Sequence, residues 1–327
     1  TAYEIGVRLV GSEMCIRDRE FVMIKGSIPA LITPFKNGDI DKNALEDLVE
    51  WQIDEGSDGL VAVGTTGESP TLSHEEHQEV IEIIVKKTKG RVPVIAGAGS
   101  NNTKESIDLM KFAKKVGADA ALVVTPYYNK PNQNGLLLHF STLNDCCDLP
   151  IIIYNIPGRS IVDMNTKTMK DLSKIKNIVG VKDATSDIPR VYETKTTIGE
   201  NFNQLTGDDA TTLAFMIYGG HGSISVTSNI APKLCSEFMK HCLDQNFAKA
   251  SEINDKLMPL HHALFVESSP APVKYAASKL GLCKDEIRLP LTSISDETKQ
   301  LVDKAMKHAS LVSVSYTHLT LPTICSV

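Results

Sequence analysis

Eight short strand candidates, most of them apolar and each followed by a longer stretch of helical character, constrain this chain more than any other feature of its sequence. The runs fall at 27–32, 59–63, 93–96, 120–124, 151–154, 178–181, 203–205 and 223–225. Several set β-branched apolar residues at successive positions, as strands buried on both faces do. The stretches between them carry apolar residues at three- and four-residue spacing. Leu45, Leu48, Val49 and Ile53 make one such stripe, and Val80, Ile81, Ile84 and Val85 make another. Boundary signals agree: Asp41 opens the first helix, Ser73 stands three residues before Glu76 at capping-box spacing, and Gly56 and Gly117 sit where helices should stop. Strands alternating with helices at these lengths make a parallel sheet, and eight such units predict a (β/α)8 barrel.

After the eighth run the pattern is helical only, through 232–243, 247–260, 272–280 and 296–308. One barrel unit needs less helix than this. The expected fold class is therefore α/β, a (β/α)8 TIM barrel over residues 23–230 with a C-terminal helical appendage over 231–312. No repeat or low-complexity linker separates the two, so they are expected to form one body. Residues 1–22 and 313–327 carry no steady apolar period, and the first segment lacks the order of a signal peptide. Both are expected to be non-native tails resembling translated adapter sequence, with Met23-Ile24-Lys25-Gly26 as the natural start.

Charge and cysteine usage narrow the function. A net charge of -6, spread without long blocks of one sign, argues against a broad nucleic-acid or anionic-membrane surface. Seven cysteines, an odd number without a CxxC pair, fit reduced thiols better than a disulfide framework. No apolar run reaches the roughly 18 residues that span a bilayer, so the protein is expected to be cytoplasmic, with no membrane and no nucleic-acid partner. His261-His262 fall in the appendage, and no His/Asp/Glu group has ligand spacing. With no nucleotide-binding glycine loop either, the expectation is no metal and no dissociable cofactor.

In barrels of this kind the chemistry sits at the carboxyl ends of the strands. The second strand ends in GTTGES (64–69), a tight turn whose N–H groups and hydroxyls suit a carboxylate or phosphate; a polar helix-capping turn is the plainer reading. The sixth reads IVGVKD (178–183), with Lys182 at the end of an apolar run. Desolvation there lowers an amine's pKa and yields the neutral nucleophile that a Schiff base requires; pairing with Asp183 at the rim is the alternative. The fifth ends in YNIPGR (154–159), where Tyr154 can pass protons into the barrel mouth and the Pro-Gly turn can aim Arg159 inward as a carboxylate clamp. A core tyrosine and a surface arginine would leave the same pattern. The fourth ends in VTPYYN (124–129), and two consecutive loop tyrosines cannot easily both be core.

Taken together with GVKDAT, TGDDA and GGHGSISVTSN in the same order, these segments resemble the dihydrodipicolinate synthase family, within the group that contains N-acetylneuraminate lyase. The resemblance implies a Schiff-base-forming carbon–carbon lyase/synthase, classed by the family's naming as a hydro-lyase. It implies that Lys182 condenses with pyruvate and that the resulting enamine attacks L-aspartate 4-semialdehyde, in diaminopimelate and lysine biosynthesis. Tyr154 would be the general acid/base, in a relay with Thr65 and with Tyr128 supplied by a neighbouring subunit. Thr65 and Thr66 would hold the pyruvate carboxylate, Arg159 that of the semialdehyde, and Gly207 and Ile224 would line the pocket. Gly158 departs from the serine common at that position, which bears on how Arg159 is aimed. The resemblance also implies a homotetramer built from dimers, and feedback inhibition by L-lysine at Ser69, His74, His77, Asn101, Glu105 and Tyr127. Taken singly, His74 and His77 read as exposed helix positions. Two rivals share the scaffold: another pyruvate-dependent aldolase acting on a sugar-acid or hydroxy-oxo-acid, and a catalytically silent binder.

Overall fold

The β-branched runs form the strands of one parallel sheet that returns on itself. The computed structural model describes residues 23–312, so the tails expected at 1–22 and 313–327 lie outside the described residues. In chain order the strands are β1 (Gly26–Pro29), β2 (Leu60–Ala62), β3 (Val94–Gly97), β4 (Ala120–Val124), β5 (Ile151–Asn155), β6 (Ile178–Asp183), β7 (Asn203–Thr206) and β8 (Gly222–Ser225). From β2 to β8 each pairs in parallel with the next, and β8 pairs in parallel with β1. A parallel bridge between Ala30 and Val61, with the Leu31 N–H donating to the Val61 carbonyl at 3.1 Å, closes the ring.

Alternation along each strand sorts side chains between two cores. Ile151 and Ile153 join the outer layer under the helices, while Ile152 and Tyr154 point into the barrel beside Ile28, Ile95, Leu122, Leu205 and Ile224. The helices are α1 (Lys42–Asp54), α2 (His74–Thr88), α3 (Thr103–Val116), α4 (Gln133–Cys146), α5 (Thr166–Leu172), α6 (Ile188–Ile198), α7 (Thr212–Ile217), α8 (Pro232–Leu243), α9 (Phe247–Ala263), α10 (Ala271–Lys279) and α11 (Asp296–His308). Asp41 caps α1, and Ser73 and Glu76 form a reciprocal capping box on α2. Gly117 ends α3 at φ +92°, in the left-handed region that costs glycine least. The helix α8 lies against β1, and α9 packs on α8, α7 and α11.

Three departures from the sequence reading have local causes. The run at 27–32 leaves the ladder after Ala30, because the Ile32 N–H donates to the Asn229 side chain at 3.0 Å. A small hairpin (Phe35–Lys36 with Asp39–Ile40) follows β1, turned by Asn37 and Gly38 at positive φ. The β6 strand runs on to Asp183, so Lys182 stands inside the ladder rather than just beyond it.

Candidate active site

Parallel register places Lys182 on β6 beside Tyr154 on β5 and Leu205 on β7. All three side chains are buried, and the Lys182 ammonium nitrogen lies 4.1 Å from the centroid of the Tyr154 ring. Burial lowers the amine's pKa to about 7; the Asp209 carboxylate opposes the shift and the Arg159 charge adds to it. A large share of neutral amine is thus present near neutral pH. Gly207 is where it is because the lysine passes beside it: a Cβ there would stand 2.7 Å from Lys182 Cε. Ile224 is buried in the same inner wall.

Burial raises the Tyr154 phenol to about 12, against opposing pulls from the Arg159 charge and the Thr65 side chain. The phenol is therefore a proton carrier that stays loaded at neutral pH, suited to protonating an oxygen as it leaves carbon. Arg159 stands on the single helical turn Pro157–Ser160 that follows β5, with one guanidinium nitrogen 3.4 Å from the Ser269 carbonyl. A Cβ on Gly158 would meet nothing within 4 Å, so the glycine is not required by the packing of this turn.

The loop after β2 is tightly folded. Gly67 N–H donates to the Gly64 carbonyl at 3.0 Å, Glu68 N–H to the Thr65 carbonyl at 3.1 Å, and the Thr33 hydroxyl to the Gly67 carbonyl at 2.7 Å. Among the described residues, the main-chain N–H groups of Thr65 and Thr66 meet no acceptor. Two free donors beside two hydroxyls form a cradle for an anion. Thr65, Tyr154, Arg159, Leu122, Val124 and Tyr127 border one open cavity of about 240 Å³. A proton-bearing phenol, one threonine of the anion cradle and a guanidinium therefore meet at one mouth, and the buried Lys182 amine stands against the phenol ring rather than in the lining.

The structure does not bring every expected residue there. Tyr128 is 90% exposed at φ +69° and is not among the residues that line the cavity within this chain. Ser69 and Tyr127 border the cavity. His74 Nε2 lies 2.9 Å from Glu105 on α3, whose other oxygen accepts from Ser100. The Asn101 carbonyl accepts from the Asn129 side chain at 2.8 Å. His77 corrects the sequence reading, because it is buried rather than exposed. Its Nδ1 has no partner among the described residues, and burial lowers its pKa to about 4. The helical stripe on α2 that buries Val80, Ile81 and Ile84 includes it.

Two acidic residues escaped the sequence reading. Asp209, inside TGDDA, is buried near Lys182 and accepts from the N–H groups of Val226 and Thr227 at 2.9 and 3.0 Å. Glu68, inside GTTGES, is buried against Lys274 of α10. Motif membership marked both residues, but their partners lie too far along the chain for local spacing to show.

Residues 23–309 match the model of the dihydrodipicolinate synthetase family. The chain is 61% identical over 290 residues to the 4-hydroxy-tetrahydrodipicolinate synthase of Cereibacter sphaeroides, which covers 89% of this chain and all of that one. It superposes with a TM-score of 0.87 and 46% identity on the chloride-inhibited dihydrodipicolinate synthase of Acinetobacter baumannii complexed with pyruvate, over 88% of this chain and all of that one. The dihydrodipicolinate synthase of Cyanidioschyzon merolae with lysine bound matches at a TM-score of 0.86 and 37% identity, over 88% and 99%.

Proposed function

The chain belongs to the dihydrodipicolinate synthetase family, and from that premise we propose how its residues divide the work. The reaction condenses pyruvate with L-aspartate 4-semialdehyde to give 4-hydroxy-tetrahydrodipicolinate, through a covalent imine rather than a dissociable cofactor. The neutral amine of Lys182 adds to the pyruvate ketone, and loss of water leaves the imine. Tyr154 protonates the departing oxygen. Removal of a proton from the methyl carbon then gives an enamine, whose carbon attacks the aldehyde. The aldehyde oxygen takes up a proton, and the semialdehyde's own amine adds to the imine carbon and displaces Lys182, closing the ring and freeing the lysine. The Thr65–Thr66 turn holds the pyruvate carboxylate, and Arg159 holds that of the semialdehyde. The observation that carries this reading is the buried Lys182 amine, held over Tyr154 with its pKa brought to about 7.

Pyruvate consumption by the purified protein, with L-aspartate 4-semialdehyde beside N-acetylmannosamine, tests the assignment. Turnover with the semialdehyde alone is expected. Turnover with the sugar alone would move the chain to the sugar-acid aldolases of the same group.

Tyr128 completes the proton relay from a second copy, in a tetramer built from dimers. Its exposure supports this, as does a second apolar patch of Tyr192 on α6, Ile217 on α7 and the adjacent Tyr218. L-lysine is the inhibitor: Glu105 and His74 would meet its ammonium group and Tyr127 and Asn101 its carboxylate, beside the buried His77. Unchanged turnover in saturating lysine would end that reading. Among the described residues no helix is long and apolar enough to cross a membrane, and a cytoplasmic location is proposed on that basis and on the biosynthetic role.

A further inference from the structure

The Glu68–Lys274 contact joins the anion turn to the C-terminal helices. Lys274 Nζ donates to Glu68 Oε1 at 2.6 Å, and the side chains are 0% and 1% exposed. Among the described residues, no other ion pair has both partners wholly buried. A buried pair of this kind adds little stability over an apolar pair of the same volume, because desolvation offsets the attraction. What it does supply is a fixed direction and distance between two segments, here 206 residues apart.

That fixed point lies two residues from Thr66. Glu68 holds φ +58°, a conformation that a non-glycine residue keeps only where its surroundings over-determine it. Its second carboxylate oxygen accepts from the Arg288 N–H at 3.1 Å. Its main-chain N–H donates to the Thr65 carbonyl, and its own carbonyl accepts from the Thr71 N–H at 2.9 Å and the Thr71 hydroxyl at 3.1 Å. The Phe35 ring packs against both cations, with Lys274 Nζ 4.1 Å and the Arg288 guanidinium carbon 4.3 Å from its centroid. Arg288 also clamps Glu76 with two hydrogen bonds of 2.6 and 2.7 Å, tying the start of α2 to the same point.

We propose that Glu68 and Lys274 are a positioning pair through which the C-terminal helices set the geometry of the Thr65–Thr66 turn, and thereby the affinity for the pyruvate carboxylate. This rests on the reading of that turn as the carboxylate cradle. Neither residue touches substrate. Both act through the two N–H groups and hydroxyls that precede Glu68, and displacement of a binding group by an ångström costs affinity steeply.

The test compares Lys274→Met, Glu68→Gln and the double variant with the parent protein, using initial rates in both substrates, borohydride trapping of pyruvate and thermal melts. The single variants each leave one buried charge unpaired, so their melting temperatures should fall. In the double variant no charge is stranded, and the melting temperature should recover. The KM for pyruvate should nevertheless stay raised by about ten- to a hundredfold in the double variant, with kcat changed by less than about threefold and the KM for the semialdehyde unmoved, the signature of lost ground-state binding. A folded double variant with the parent's pyruvate KM would overturn the proposal and leave the pair a matter of cohesion alone. If the single variants do not fold, the double variant decides. A parent that traps no pyruvate would refute the Schiff-base reading itself, an outcome distinct from a parent that traps and variants that trap equally well.

Discussion

The inner wall of the barrel and the loop after β4 treat their tyrosines in opposite ways. Tyr154 is held in a strand, buried, directly across the ladder from Lys182. Tyr128 stands on an exposed loop in a left-handed conformation, and its loop is held through its neighbours, by Thr125 against Tyr154 and Ser160 and by the Asn129 side chain on the Asn101 carbonyl. Both residues are assigned to one proton relay. The contrast teaches that the bond-making groups are preorganised within one chain, where the hydrogen-bonded ladder fixes their spacing. In the proposed relay, proton delivery would also draw on a residue whose place is set by a second chain.

The sharpest way to break this comparison is to remove the inner members. Lys182→Ala is expected to lower turnover by about 10⁴-fold or more, as loss of a covalent nucleophile does. Tyr154→Phe should cost about 10²- to 10⁴-fold while still allowing slow trapping of pyruvate by borohydride. A Lys182→Ala protein that kept its turnover would break the division outright.

Tyr128→Phe should cost on the order of 10²-fold, and mixing tests whether the residue works across chains. Lys182→Ala and Tyr128→Phe protomers, refolded together in equal amounts, should regain about a quarter of parental activity. Half of their dimers are mixed, and each mixed dimer holds one intact site. No recovery would assign Tyr128 to its own chain's site.

A smaller effect comes from pH. Because Lys182 must be neutral to attack, the rate of imine formation at low pyruvate should rise about tenfold between pH 6 and 8 and level off above, following a pKa of about 7. Folding also sheds a proton between pH 7 and the ordinary lysine range. The parent should therefore gain stability with rising pH across that window, and Lys182→Met should flatten the slope. A rate profile flat from pH 6 to 8 would contradict the buried-amine account. The smallest effect expected is that of Gly158→Ser. The open space around Gly158 predicts less than about a twofold change in the KM for the semialdehyde, and a larger one would mean that the turn aims Arg159 more delicately than its packing suggests.

The fold was legible because the central strands, buried on both faces, leave short β-branched apolar runs such as Ile151-Ile152-Ile153 between stretches of helical period. The register of Lys182 with Tyr154 was not, since pairing between strands leaves no mark in either one alone. The Asn37-Gly38 hairpin carried a familiar signal but lay between two longer elements that drew the reading. His77 was placed on the wrong face of α2, although its spacing of four to Ile81 and seven to Ile84 marks the buried stripe. The Glu68–Lys274 pair was out of reach. A lysine between Val273 and the small apolar Ala276 and Ala277 hints at a buried cation, but nothing local names its partner.

The most direct test of the central claim is to reduce the protein with borohydride in the presence of pyruvate and map the modified peptide. The account predicts one pyruvate-derived adduct per chain, on Lys182, with activity lost in proportion. Turnover that survives reduction, or an adduct on another lysine with Lys182 unmodified, would contradict it.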